Sequence, residues 1–407
     1  MVEIAIETPA SLTAIYESSA NGHRLIHVRA LIDELLARNE TPLLYTHRVV
    51  TETEEFQLHL QDVLAKIDLV EVPEQRSGRY QLAHAKSVRW VVRDFRRRGD
   101  ARGREQVLVL PSGDRMILPW LIARSSVRAT RMQVRGSLLR PEAFFARSVK
   151  GRSKNVLSRL AMRFADASFY PLVGPLVEPS PDYSRIGMTP IADPVRSTSS
   201  TPAAQPAALA KRAARDRLRL PPDRTIVMVA GKLSNRKNVP LVLECFLDES
   251  LPPSHLLVLA GKPDPEVPDW LQRIPDSAAG RRIVVRLGLL TDDELDDYLR
   301  AADVLLQLYD NAGGSSGILS QAIEFQVPVI VYGNVYCEAA VREFRLGRVL
   351  GRLEKSELAR AIASATQPRA DTDCPLWAQA RERLAETERE YVTALLDGVG
   401  PATKGGR

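Results

Sequence analysis

The chain has 407 residues, 44% hydrophobic and 26% charged, with 56 Lys and Arg against 50 Asp and Glu for a net charge of +6. That length exceeds one ordinary core and predicts two domains, and the composition is that of a globular protein. No apolar run reaches the ~20 residues that span a bilayer, and the acidic start MVEIAIETPAS lacks the basic region of a secretory signal.

In chain order, VEIAIETP (2–9) reads as a buried strand, followed by a polar loop. GHRLIHVRALIDELLARN then places Leu25, Ile26, Val28, Leu31, Ile32, Leu35 and Leu36 on one helical face. TPLLYT, VLVLPSGD (107–114) and ADASFYPLVGP (165–175) read as later strands or strand ends. Strands alternating with helices predict parallel βαβ units. Residues 195–223 are rich in Ser, Thr, Pro, Ala and Arg and read as a linker with a helical second half. Beyond it the alternation restarts with RTIVMVAGKL, then helix VPLVLECFLDE, strands HLLVLAGKP and RIVVRLGLL, and helix TDDELDDYLRAA, which Thr291 caps. DVLLQLY, a glycine-serine loop with a helix, VPVIVYG and EKSELARAIASA complete the set. A final amphipathic helix covers 375–398. The expected organisation is a Rossmann-like domain at 1–194, a linker at 195–223 and a second Rossmann-like domain at 224–370. The segment 371–407 then holds a helix that can cross back to the first domain, and a tail.

Charge and cysteine usage narrow the partners. RDFRRRGDARGRE (93–105) and RSSVRATRMQVRGSLLR (124–140) load the first half with arginine, and the pI is near 9.2. Such stretches suit a solvated surface or an anionic partner, including a phosphorylated acceptor or a peripheral contact with an anionic membrane. Nucleic acid is not expected, because no aromatic interleaving or binding motif accompanies them. Cys245, Cys337 and Cys374 form neither a disulfide framework nor a metal clip, so reduced thiols in a cytoplasmic protein are expected.

Ligands of open parallel α/β sheets sit beyond the carboxyl ends of the strands. After TIVMVA comes GKLSNRKN, with Lys232, Arg236 and Lys237 within six residues, and after the later strand comes NAGGSSGILSQAIEFQVPV (311–329). Glycines let backbone approach an anion, serines add donors, and a helix N-terminus offers free amides. Each stretch alone also reads as an ordinary loop; together on one domain they point to a diphosphate site. The Walker A pattern and the dinucleotide G-x-G-x-x-G are absent. The carboxylates of TDDELDDYL fall at helical spacing, as on a solvated helix start, and no His/Cys cluster suggests zinc.

From about Thr225 to Ala365 the chain resembles the donor half of nucleotide-sugar glycosyltransferases of the GT-B fold, in the large retaining family of group 1 type. The family's basic turn is matched by Gly231, Lys232, Leu233 and Lys237, with Lys232 where an arginine usually stands. Its donor loop is matched by Gly314, Ser315, Ser316 and Gly317, anchored on Pro328. Two family glutamates, eight positions apart, fall at Gly313 and Gln321, so both carboxylates are missing. Gln321 keeps a donor and an acceptor for a ribose hydroxyl, Glu324 reads as helix surface, and the usual glycine before the strand is Gln326. In the first domain, Asn21, Gly22 and His23 resemble the fold's acceptor-side loop, with His23 as the catalytic candidate. Asp114 is a second acceptor-side group, and His27, Arg29 and His84 read as structural or surface.

The resemblance implies two Rossmann-like domains with parallel sheets facing across a cleft. It also implies transfer of a sugar from a nucleotide-diphosphate sugar to an acceptor hydroxyl, with no cofactor or metal. A sugar-nucleotide 2-epimerase on the same scaffold and a non-catalytic nucleotide-sugar or glycan-binding relative are the alternatives.

Overall fold

The computed structural model describes residues 11–20, 24–74, 80–100, 105–123, 132–139, 167–185, 187–195, 207–248, 251–265, 267–272, 274–312, 315–365 and 375–398. They form two compact units. The first comprises residues up to 173, 179–196 and those from 387 on; the second comprises 174–178 and 197–386.

The sheet of the first unit contains β1 (Ser11–Tyr16), β2 (Leu43–Thr46), β3 (Asp68–Glu71), β4 (Glu105–Leu110), β5 (Met132–Leu138), β6 (Ser168–Val173) and β7 (Ile191–Ala192). Their order is β3-β2-β1-β4-β5-β6-β7, all parallel. Side chains alternate across the sheet. Ile15, Leu44, Val107 and Val109 enter one core with Leu25, Val28 and Leu31 of helix Arg24–Ala37. Ala14, Tyr16, Tyr45, Leu108 and Leu110 enter the opposite core, with Val91 and Phe95 of helix Tyr80–Asp100 and Trp120 of helix Gly113–Ala123. A sheet covered on both faces needs apolar residues at both parities, which is why β2 and β4 read as continuous apolar runs.

One expectation is corrected here. The polar loop after VEIAIETP contains β1, whose Ala14, Ile15 and Tyr16 are buried; its Ser and Thr disguise the strand. Residues 2–9 lie outside the described residues.

The second unit holds β8 (Thr225–Ala230), β9 (His255–Gly261), β10 (Ile283–Leu287), β11 (Val304–Ala312), β12 (Val329–Asn334) and β13 (Gly347–Val349), in the order β10-β9-β8-β11-β12-β13 and all parallel. Thr291 caps helix Asp292–Ala301 in a full capping box. Its hydroxyl accepts from Glu294 N at 3.1 Å, and the Glu294 carboxylate accepts from Thr291 N at 2.9 Å, which holds that carboxyl below its usual range. The carboxylates of this helix are not all solvated: Asp296 is buried and Asp297 pairs with Arg217 at 2.5 Å.

Helix Ala207–Arg217, in the segment read as a linker, is tied to the sheet of the second unit. The buried Arg215 guanidinium donates to Asp303 (2.7 Å), Ala301 O (3.0 Å), Pro222 O (2.8 Å) and Arg224 O (3.1 Å). Asp303 also accepts from Lys211 (2.6 Å) and Ile226 N (2.7 Å). Asp303→Ala leaves Arg215 buried beside carbonyls alone, so urea unfolding should show a loss of about 2–4 kcal/mol. A change within about 0.5 kcal/mol would show that water replaces the carboxylate.

The stretch 375–398 is two helices, Pro375–Ala385 and Thr387–Leu396, rather than one. The break falls where the chain passes from the second unit to the first. Tyr391, Val392 and Leu395 enter the core around Leu25 and Val28, and Arg135 donates to the carbonyls of Leu395 and Leu396 at the helix end. Among the described residues no helix is long and apolar enough to cross a membrane.

Candidate functional site

The strand order of the second unit reverses between β8 and β11, which makes the crevice beyond their carboxyl ends the topological switch point. Both loops singled out from the sequence leave these two strands.

The β8 exit is shaped by close backbone contacts. Gly231 has φ +81°, in the left-handed region, and donates to Ala260 O at 2.9 Å. Leu233 N bonds Lys262 O and Asp264 N bonds Leu233 O, both at 2.9 Å, so the turn is laced to the end of β9. A single 3-10 turn, Asn235–Lys237, then leads through Asn238 at φ +52° into helix Val239–Leu247.

That turn folds Lys237 inward, to 7% exposure. Its ammonium donates to Ala230 O. Among the described residues no carboxylate pairs with it. Burial, with the positive charge of Arg236 beside it, pushes its pKa down to about 7. The Arg236 guanidinium lies 5.1 Å from the centre of the Tyr309 ring on β11. Among the described residues neither of these two cations is paired with a carboxylate.

On the β11 side, Ser316 caps helix Gly317–Glu324. Its hydroxyl accepts from Leu319 N at 3.3 Å and donates to the buried Gln307 at 3.1 Å. Among the described residues the buried Gln307 amide nitrogen has no partner. The amides of Gly317 and Ile318 have no intrahelical acceptor, and the helix dipole adds to their pull on an anion. The two loops meet: a Cβ placed on Gly231 would lie 3.4 Å from Lys237 Nζ and 3.6 Å from Ile318 Cδ1.

The other expected residues fall as follows. Lys232 is 61% exposed and pairs with Asp264 at 2.6 Å, so the neighbouring Arg236 is the cation left beside Lys237. Ser315 is half-buried at the loop, and Gln321 is half-buried one turn beyond Gly317. Ser316 is turned into the fold, which leaves backbone rather than its hydroxyl for a ligand. Gly314, Asn21, Gly22 and His23 lie outside the described residues, as do Gly313 and Cys374. Asp114 is half-buried and accepts from Leu139 N at 3.4 Å. His27 is buried against Asp193 at 3.2 Å, and Arg29 forks onto Asp62 and Asp33. Cys245 and Cys337 are buried free thiols, pushed up to about 12 by burial. The Arg236–Tyr309 stack and Gln307 had no sequence signal beyond lying near the two loops.

Two doubly wound parallel units of this strand order share the GT-B fold seen in solved glycosyltransferases. Residues 210–390, which include that crevice, match the family model described as glycosyl transferases group 1. The fold is shared with WaaG, a glycosyltransferase involved in lipopolysaccharide biosynthesis. That match has a TM-score of 0.62 and 14% identity over 95% of this chain and 100% of that one. Anabaena HepE in complex with UDP and glucose matches at TM-score 0.64 and 14% identity, over 95% and 98% of the two chains. Sucrose-phosphate synthase from Thermosynechococcus elongatus matches at TM-score 0.59 and 17% identity, over 95% of each chain. No curated protein sequence matches this chain. The epimerase alternative finds no support in these matches.

Proposed function

We propose that this protein transfers a sugar from a nucleotide-diphosphate sugar to an acceptor hydroxyl. The observation that carries the reading is the buried Lys237 ammonium, which among the described residues bonds a backbone carbonyl and no carboxylate. Lys237, Arg236 and the amides of Gly317 and Ile318 hold the donor diphosphate. As the glycosidic bond breaks, negative charge grows on the leaving diphosphate, and these preorganised donors stabilise it most at that point. Gln321 lies one turn from the diphosphate and offers donor and acceptor to the ribose. The crystallised relative that holds UDP supports a uridine nucleotide as the first probe.

The countercharge comes from side chains and amides, so no divalent ion is needed. Calorimetric titration with UDP, GDP and ADP should find at least one nucleotide that binds, with a Kd unchanged by EDTA. Loss of binding in EDTA overturns the metal-free reading, and failure of all three nucleotides overturns the assignment of the crevice. A panel of nucleotide sugars with acceptor mixtures then distinguishes transfer, seen as acceptor-dependent release of nucleotide diphosphate, from binding alone.

A further inference from the structure

The strand order of the first unit reverses between β1 and β4, and its switch-point crevice is held by one buried carboxyl group. Glu17 follows β1 directly and is 1% exposed. Its Oε1 accepts from the amides of Ser18 (2.8 Å) and Ser19 (2.9 Å), and its Oε2 accepts from the hydroxyl of Ser112 (2.5 Å), two residues beyond β4. Its own backbone is tied to β2, through Glu17 N to Tyr45 O at 3.1 Å and Thr46 Oγ1 to Glu17 O at 2.8 Å. Arg24, at the start of helix Arg24–Ala37, is also buried and donates to Ser19 Oγ at 3.0 Å. Ser137 of β5 in turn donates to Pro111 O at 2.6 Å, bracing the segment that carries Ser112.

The carboxyl group thus joins the ends of β1 and β4, while the Glu17 backbone ties in β2 and Ser137 of β5 braces the Ser112 segment. Burial raises its pKa, while Ser112, Arg24 and the two amides act in the opposite direction. A neutral apolar pair would close the same space without removing a charge from water. A desolvated acid at the mouth of an α/β sheet, with a shifted pKa and specific partners, is a candidate functional group.

We propose that Glu17 is the positioning residue of the first unit's crevice. By clamping Ser18, Ser19 and Ser112 it sets the backbone on which the acceptor hydroxyl is oriented for transfer. Both carboxyl oxygens are occupied within the fold, so it acts through these partners and does not touch the sugar. The proposal rests on the transferase reading above.

The test uses the full chain with UDP-glucose as probe and water as acceptor, following release of UDP. Glu17→Gln keeps the shape but offers an amide where the serine donors point. Its kcat should fall at least about tenfold, with KM for UDP-glucose and Kd for UDP within about twofold. Ser112→Ala, a milder change that keeps the acid, should lower kcat about three- to tenfold with the same split and an unchanged melting temperature. Hydrogen exchange at the amides of Ser18 and Ser19 should be at least about tenfold faster in Glu17→Gln than in wild type, with β1 unchanged. A kcat within twofold of wild type, a KM that moves with kcat, or unchanged exchange at these two amides overturns the proposal. A wild-type chain that binds no nucleotide instead refutes the transferase reading, and hydrogen exchange then decides the clamp alone.

Discussion

Lys237→Met is expected to weaken UDP binding at least about 30-fold while raising the melting temperature of the second unit. The two effects have one cause. The ammonium is buried with one carbonyl acceptor and Arg236 beside it, and no carboxylate of the described residues pairs with it. Removing a desolvated partner of a phosphate should cost on the order of 2–5 kcal/mol of binding, at least about 30-fold in Kd. Replacing a buried cation by an apolar side chain of similar length is commonly neutral or stabilising by about 1–4 kcal/mol.

The sign with pH follows from linkage. The folded-state pKa, about 7, lies below the ordinary lysine value of 10.5. Between these values the unfolded chain holds one more proton than the native one, so stability rises with pH across that window. Below about 7 both states are protonated and the native state bears the full desolvation cost. The gain from Lys237→Met should therefore be largest below pH 7 and vanish above about 10.5. UDP affinity of the wild type should weaken as pH rises through 7, because the neutral amine must first take up a proton. Scanning calorimetry and titrations at several pH values check both. Unchanged affinity, or a lower melting temperature below pH 7, would show that Lys237 is a packing residue.

The second unit was the more legible in the sequence, for physical reasons. Its strands are continuous apolar runs followed by glycines, so both strand order and the two loops at the switch point could be read. In the first unit, β1 mixes Ser11 and Thr13 with its apolar residues and is only six residues long, so it reads as part of a polar loop. Which basic side chain of GKLSNRKN turns inward was not legible. The 3-10 turn and the left-handed Asn238 decide it, sending Lys237 into the crevice while Lys232 finds Asp264 on the neighbouring strand exit. Glu17 was not legible because its side-chain partner Ser112 lies 95 residues away. The divergent Gln326 has φ +55°, which explains why a glycine usually stands there.

Gly261→Ala should be the most damaging single-atom change near the crevice, and it separates strain from collision. Gly261 ends β9 at φ +148°, and a Cβ there would lie 1.7 Å from the carbonyl oxygen of Gly231 and 2.5 Å from its carbonyl carbon. These are backbone atoms, so no side chain can swing aside; the Gly231 turn itself must move. That turn carries Lys237 and faces Ile318, so displacement spreads the cations and the helix amides apart. Urea unfolding should show a loss on the order of 3–5 kcal/mol, and UDP affinity should fall at least about tenfold. Gly187→Ala is the control. It has φ +73° but nothing within 4 Å of the added Cβ, so it carries the conformational cost alone, about 1 kcal/mol. If Gly261→Ala proves as mild as Gly187→Ala and leaves UDP affinity intact, the β8 turn is free to shift, and the anion site does not depend on the close passage of the two strand exits.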